Sequence, residues 1–188
     1  CVPFEARGSS LPGEETGLWG SATALAAVTA DADPLVAGHR RGVDADGARR
    51  DELAVVRLAR DTATDLAVVD EAVVDTWVPA KDDDPGPWVR SHRLADGATL
   101  LVTGPNPVRV FRRTPAGETT SLGKLPTGAL VHTSEGSFAT AVDGTGRLHA
   151  AYHDLTTGFL SVATLEADRS FTVAHLEPLS QSALWGAR

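Results

Sequence analysis

Methionine is absent from this chain of 188 residues, and cysteine occurs only once, as the first residue. Because a chain without methionine cannot contain its own initiator, we expect a processed product or a piece of a longer protein. One thiol excludes an intrachain disulfide, and an N-terminal Cys1 is what signal-peptidase cleavage of a bacterial lipoprotein leaves. The sequence therefore predicts an exported protein, outside the cell or in the cell envelope, with lipid attached to Cys1.

Three other interpretations of Cys1 stay open. The residue could mark an arbitrary cut in a longer chain, it could be a terminal cysteine of no importance, or it could be the nucleophile of a self-cleaved hydrolase, with its own amine as the base. Such hydrolases pack helices on a sheet, whereas this sequence has almost no helical periodicity. Residues 1–17 are predicted to be a tether or an interface segment.

Long apolar runs and an excess of positive charge are also missing. No segment approaches the roughly 20 apolar residues that cross a bilayer, so we expect membrane contact only through a lipid anchor. Lysine and arginine number 17 against 25 acidic residues, for a net charge of −8. Nucleic acid is therefore excluded as a partner, because its phosphates attract clustered cations. The pairs Arg40-Arg41 and Arg112-Arg113 are interpreted as solvated surface.

One pattern recurs three times along the chain. The segment TADADPLVAGHRR from Thr29 aligns with VDGTGRLHAAYHD from Val142, and this alignment makes His39 equivalent to Tyr152. The segment LADGATLLVTG from Leu94 fits the same template. Each copy has an apolar strand, a turn rich in Asp, Gly or Pro, and a second strand with alternating apolar residues. Repetition at roughly 20 to 50 residues is typical of stacked repeat architectures.

Two further strands complete each copy. Third strands are predicted from Glu52, Val108 and Phe159, and fourth strands from Asp65, Thr119 and Phe171. The segment RDELAVVRLARDTATDLAVVDEAVV could imitate a helix, but its register against the last copy favours two strands. The predicted fold is therefore all-β, with three antiparallel units of four strands each.

A four-stranded antiparallel unit repeated in this way is the signature of a propeller blade. We place the blades at about residues 21–71, 88–125 and 136–177, within a propeller part of 18–188 whose last residues, 178–188, begin a further blade. Propellers close with about 4 to 8 blades, so three blades need more. The sequence predicts a partial β-propeller whose ring is completed by another chain or by a second copy.

Two tryptophans mark the expected blade junctions. Leu18-Trp19-Gly20 precedes the first predicted strand, and Leu184-Trp185-Gly186 follows the last. Apolar faces exposed at Trp19 and Trp185 would associate with a partner, and Tyr152 is expected to pack between blades. The terminal Arg188 is what trypsin-like cleavage leaves. We therefore expect the N-terminal part of a larger propeller that is cut into two chains.

The third unit resembles a known repeat. Its residues 137–177 are similar to the blade repeat of secreted bacterial propellers of the sialidase-like (BNR-like) superfamily. The matching positions are Asp143, Gly146, His149, Tyr152, Asp154, Gly158, Leu160 and Ala163. The Asp-box of sialidases, Ser-x-Asp-x-Gly-x-Thr-Trp, is missing from every unit, and their arginine triad and nucleophilic tyrosine have no matching positions. The resemblance thus implies the scaffold and not the activity.

Candidate ligand groups lie in the long loops of the first unit. Carboxylates there could bind a ligand, or calcium as the one conceivable cofactor, although the spacing of a known calcium loop is missing. They are Asp44, Asp46, Asp51, Asp82, Asp83 and Asp84. His149 and His153 lie about 13 Å apart on one strand face, too far for a single metal ion, so no metal site is predicted.

The function that these patterns favour is an exported binding or interaction module with a protein or carbohydrate ligand. The alternative is a sialidase-like glycoside hydrolase. Its paired carboxylates, about 5 to 9 Å apart, would lie in the missing blades or in the loops near Asp44 and Asp82.

Overall fold

The computed structural model describes residues 18–26, 34–43, 49–60, 66–77, 88–104, 107–126, 138–154 and 158–178. All twelve elements in these ranges are β-strands. In chain order they are β1 (Leu18–Ala26), β2 (Leu35–Val43), β3 (Arg49–Arg60), β4 (Leu66–Trp77), β5 (Val89–Arg93), β6 (Thr99–Thr103), β7 (Arg109–Arg113), β8 (Thr119–Lys124), β9 (Phe138–Val142), β10 (Leu148–Asp154), β11 (Phe159–Leu165) and β12 (Phe171–Pro178). A helix long and apolar enough to cross a membrane is not found in these ranges.

The strands form three sheets, each of four strands in chain order. The first sheet contains β1–β4, the second β5–β8 and the third β9–β12. Every neighbouring pair is antiparallel. The predicted all-β fold with three four-stranded antiparallel units is confirmed. The segment that could imitate a helix forms β3 and β4, which pair from Asp51↔Trp77 to Arg60↔Leu66.

Four hairpin turns share one geometry. In each turn the N–H of the first residue donates to the C=O of the fifth, and the N–H of the fourth donates to the C=O of the first. These turns begin at Leu94, Thr114, Asp143 and Glu166. The fourth residue has a positive φ, and it is Gly97, Gly117, Gly146 or, with φ 69°, Arg169. Glycine enters this region of φ without steric cost, which explains the Gly-marked turns in the sequence.

Two apolar clusters join the sheets. The first and second sheets share a cluster that includes Leu53 of β3 and Leu101 of β6. The second and third sheets share a larger cluster around three rings, in which Phe138 lies 4.6 Å from Trp88 and 6.3 Å from Tyr152 between ring centroids. Each sheet buries apolar surface against its neighbour. This burial stabilises the stack of three sheets, whereas a single sheet would leave the same surface exposed to water.

The sheets stack head to tail. The β5–β6 and β9–β10 turns have the same hydrogen bonds, so the residues that follow them, Thr99 and Leu148, are equivalent. Two residues further on, Leu101 belongs to the cluster shared with the first sheet, and its equivalent Ala150 belongs to the cluster shared with the second. Each sheet therefore turns the same face to the sheet before it. Contacts of this heterologous type build rings or open arrays.

The two ends of each sheet differ in environment. The first strands lie together, with β5 beside both β1 and β9. His92 of β5 reaches Thr140 of β9, with 2.7 Å between Nε2 and Oγ1. The fourth strands carry exposed apolar side chains, such as Val73 of β4 and Leu176 of β12, which are 46% and 55% exposed. The stack thus has a side formed by first strands and an opposite, solvent-exposed side formed by fourth strands.

Candidate binding surfaces

The open face of the third sheet is the side turned away from the second sheet. Its central row runs across all four strands, because Ala139, Ala151, Val162 and Ala174 lie opposite one another in register. Ala139 and Ala174 are exposed, and the two residues between them are partly buried. An apolar row across a whole sheet is a surface that another layer can cover.

The equivalent row of the second sheet is already covered. It consists of Arg90, Val102, Val110 and Gly123, again opposite one another. Val102 and Val110 are both 0% exposed and belong to the cluster shared with the third sheet. The same row on the same face is therefore buried in one sheet and open in the next.

A cleft of about 320 Å³ lies between the first and second sheets. Leu35 of β2 and Arg57 of β3 contribute to its lining, and the turn of residues 114–117 between β7 and β8 forms one of its walls. Three arginines and one aspartate contribute to its lining, namely Arg57, Asp70, Arg93 and Arg113. In a chain with a net charge of −8, this is a local concentration of cations.

Arg113 is the most buried of the arginines in the cleft, with 5% of its side chain exposed. Its Nη2 donates to Asp70 Oδ2 over 2.8 Å, and its Nη1 donates to Thr119 Oγ1 over 3.1 Å. Gly117 stands beside it, where a Cβ would lie 3.4 Å from Nη2. The glycine thus leaves room next to a guanidinium that is held in one orientation.

Arg93 reaches the cleft from the end of β5. Its Nη1 donates to Thr99 Oγ1 over 3.3 Å, and Thr99 is 1% exposed. A guanidinium has five N–H donors in a planar fork that matches carboxylate and phosphate oxygens. The arrangement supplies fixed positive charge and hydrogen-bond donors, which is the chemistry of binding an anion.

A second polar group lies at the β9–β10 turn. Asp143 Oδ2 lies 3.0 Å from His149 Nε2, and His149 Nδ1 lies 3.0 Å from Thr164 Oγ1. The hydroxyl of Thr145 donates to Asp143, and with His149 and the backbone N–H of Arg147 it holds the pKa of Asp143 well below its usual range. Asp143 is thereby hydrogen-bonded within its own turn, so we interpret the group as one that stabilises the turn.

Tyr152 lies in the cluster between the second and third sheets, 1% exposed. Its Oη donates to the C=O of Pro126 over 3.3 Å, and burial together with Asp154 raises the pKa of its hydroxyl. Trp19 lies within β1, opposite Arg40, and not ahead of the first strand as the sequence suggests.

Asp51 lies in β3 and not in a loop. It is opposite Arg41 of β2 and Trp77 of β4, because the β2–β3 ladder continues as far as Val43↔Arg49. The other predicted site residues lie outside the described ranges. They are Cys1, Asp44, Asp46, Asp82, Asp83, Asp84 and Trp185.

Two inferences from the residues need correction. His39 and Tyr152 are not equivalent, since His39 Nε2 lies 3.0 Å from Thr103 Oγ1 of the following sheet while Tyr152 faces the preceding one. Arg113 is not solvated surface. The only signal that could have revealed it is strand alternation, because two consecutive arginines on one strand point to opposite faces.

Comparisons with known proteins identify no relative. Neither family models, nor curated proteins, nor solved structures gave a match to this chain. The resemblance of the third unit to sialidase-like repeats therefore stays a prediction from its residues, and the geometry above carries the functional argument alone.

Proposed function

We propose that the protein is an interaction module of the β-propeller type, and that the open face of the third sheet packs against a further four-stranded blade. The observation that carries this proposal is the repeated use of one face. The second sheet turns Val102 and Val110 to the third, which buries them fully, and the third sheet presents the equivalent Ala151 and Val162 outward.

The arrangement of the strands supports a propeller over a sandwich. In a propeller the first strands meet near the axis and the fourth strands form the rim, as β1, β5 and β9 on one side and β4 and β12 on the other are placed here. A sandwich pairs two sheets by their inner faces and leaves no repeating direction. The proposed occupant is therefore another blade of the same construction, supplied by a second chain or a second copy.

Export, lipid attachment at Cys1 and a protein or carbohydrate ligand complete the proposed role of a binding module in the cell envelope. The glycoside hydrolase alternative depends on loop carboxylates near Asp44 and Asp82, which lie outside the described residues. Within the ranges that the structure describes, no pair of carboxylates supports it.

Thiol labelling tests whether the open face is covered. Ala174→Cys places a thiol probe on the open face, and Ala167→Cys places one in the exposed β11–β12 turn, with labelling read at each site by peptide mass so that Cys1 stays in place. Both sites are exposed in the isolated chain. In protein isolated undenatured from its source, we expect the probe at 174 to react with a maleimide at least about tenfold more slowly than the probe at 167. After unfolding in urea, the two probes should react equally fast.

Native mass spectrometry of the same material identifies the occupant. A native mass of about twice that of the denatured chain indicates a second copy, and a different added mass indicates a second chain. Equal labelling rates at the two sites in folded material, together with the mass of a single chain, would show that the face is uncovered and that the proposal is wrong.

A further inference from the structure

We propose that the cleft between the first and second sheets binds a small molecule through an oxyanion group, a carboxylate or a phosphate. Its volume of about 320 Å³ matches the lower end of the range for small-molecule pockets. The site is formed by residues of β2–β7 and of the β7–β8 turn, so this inference stands independently of what covers the third sheet.

The charges in the cleft favour an anion. Arg57, Arg93 and Arg113 line it, and Asp70 is the one carboxylate among its lining residues. Asp70 is bound to Arg113 over 2.8 Å. Asp70 is engaged by Arg113, so the charge of Arg93 has no carboxylate partner among the described lining residues and gives its part of the cleft a positive potential that attracts an anionic ligand.

The hydrogen-bond donors point to an oxyanion in particular. The bond from Arg93 to Thr99 occupies one of its five N–H groups, and it is long at 3.3 Å. Arg113 uses two donors, on Asp70 and Thr119. Arg93 therefore keeps its other N–H donors in a planar fork, which binds the paired oxygens of a carboxylate or phosphate more specifically than a single point charge does.

The cleft is also held in shape before any ligand arrives. Arg113 is 95% buried and anchored at both nitrogens, and Thr99 beneath Arg93 is 1% exposed. The turn that forms the wall carries Ala116, with only a methyl group, and Gly117, with no side chain, so these residues fill little of the space. A preformed site loses less conformational entropy on binding than one that must be ordered.

Titrations followed by two-dimensional amide NMR test the site directly. The probes are sodium phosphate, sodium sulfate and sodium acetate at constant ionic strength, with sodium chloride as the reference. We expect saturable shifts of the amides of Arg93, Arg113 and Gly117 with the oxyanions and not with chloride. A higher affinity for phosphate than for acetate indicates a phosphate ligand, and the reverse order a carboxylate.

Arg93→Gln removes one charge from the cleft, and Arg112→Gln is its control. Arg112 is paired with Asp96 outside the cleft. Loss of a charge-assisted bond should weaken binding by about tenfold or more for Arg93→Gln and leave it unchanged for Arg112→Gln. Equal weakening in both variants would indicate a general charge effect and overturn the proposal.

A second pair of variants keeps the test valid if Arg93→Gln does not fold. Ala116→Glu adds a negative charge at the cleft wall without removing a contact, and Ala167→Glu adds one in the exposed β11–β12 turn. We expect Ala116→Glu alone to abolish saturable binding. The proposal is refuted if none of the three oxyanions binds saturably to the unmodified chain, or if Ala116→Glu binds them as well as Ala167→Glu does.

Discussion

Gly104 is the position where one added carbon tests how the second sheet is joined to both of its neighbours, because the Trp88 indole packs against Phe138 of the third sheet and the Trp88 carbonyl contacts His39 of the first. Gly104 directly follows β6, and its N–H donates to the C=O of Trp88 over 3.0 Å. A Cβ here would lie 2.3 Å from Trp88 Nε1 and 2.5 Å from Cε2. The same carbonyl accepts from Thr103 Oγ1 and has His39 Nε2 at 3.1 Å. A displaced Trp88 would therefore disturb a buried polar link between the sheets.

The size of the effect follows from these distances. Carbon atoms pack best at about 3.5 to 4.0 Å, so the indole must move by roughly 1 Å to accept the methyl group of Gly104→Ala. Overpacking of this kind costs about 1–3 kcal/mol. The indole is 5% exposed. If it leaves its site instead, the loss of unfolding free energy should approach that of truncating a buried tryptophan to alanine, about 3–5 kcal/mol. We expect the free energy of unfolding to fall by about 2–4 kcal/mol.

Gly144→Ala is the matched control. It makes the same chemical change in the β9–β10 turn, where a Cβ meets no atom within 4 Å and φ is not positive. Replacing such a glycine changes stability by at most about 1 kcal/mol, and in the stabilising direction, because the unfolded chain loses freedom. Urea unfolding followed by far-UV circular dichroism gives the midpoint and the slope for each variant.

A double variant separates the clash from other causes. Trp88→Leu removes the indole atoms that the new methyl group meets, so Gly104→Ala should cost less in that background than in the native chain. The reasoning is refuted if Gly104→Ala and Gly144→Ala unfold at the same urea concentration, or if the cost of Gly104→Ala is unchanged by Trp88→Leu.

Two further predictions concern the joint between the second and third sheets. Tyr152→Phe keeps the ring and removes the bond to Pro126, so urea unfolding should show a loss of only about 0.5–1.5 kcal/mol, against about 3–5 kcal/mol for Tyr152→Ala. Equal losses would contradict a packing role for the ring. Burial lowers the pKa of His92 below its ordinary value of 6.5, so the unfolded chain binds more protons in the range below 6.5. Stability should therefore be complete above that pH and decline from about pH 6.5 towards 5. His92→Gln should flatten the decline in thermal unfolding curves, and an unchanged pH profile would exclude His92 as its cause.

The parts of the fold that could be predicted from the sequence are those that local chemistry determines. Turns with glycine at a position of positive φ, such as Gly97 and Gly146, separate runs of strand-forming residues. Alternating apolar residues in β10 predict its buried positions Leu148, Ala150 and Tyr152, which are all 1% exposed. These signals are sufficient for strand order and sheet number.

The faces could not be predicted in the same way. Side chains alternate along a strand, so an alignment that is wrong by one residue reverses every face. This is the error that paired His39 with Tyr152. The cleft was missed for a related reason, because Arg93, Asp70 and Arg113 are distant in sequence and are brought together only by the packing of two sheets. Charge counts along the chain contain no information about that contact.

Head-to-tail stacking leaves one sheet face uncovered, whereas two sheets that pack face to face cover each other's inner faces. Each added sheet covers one face and exposes the equivalent face again, so one face of the stack stays uncovered until a partner or the first sheet covers it. The open row of the third sheet is made of Ala139, Ala151, Val162 and Ala174, smaller than the rings that cover the second sheet from Phe138 and Tyr152. A row of small residues leaves space for large ones. If the proposed further blade covers this face, we expect it to present aromatic residues there, as the third sheet presents Phe138 and Tyr152 to the second.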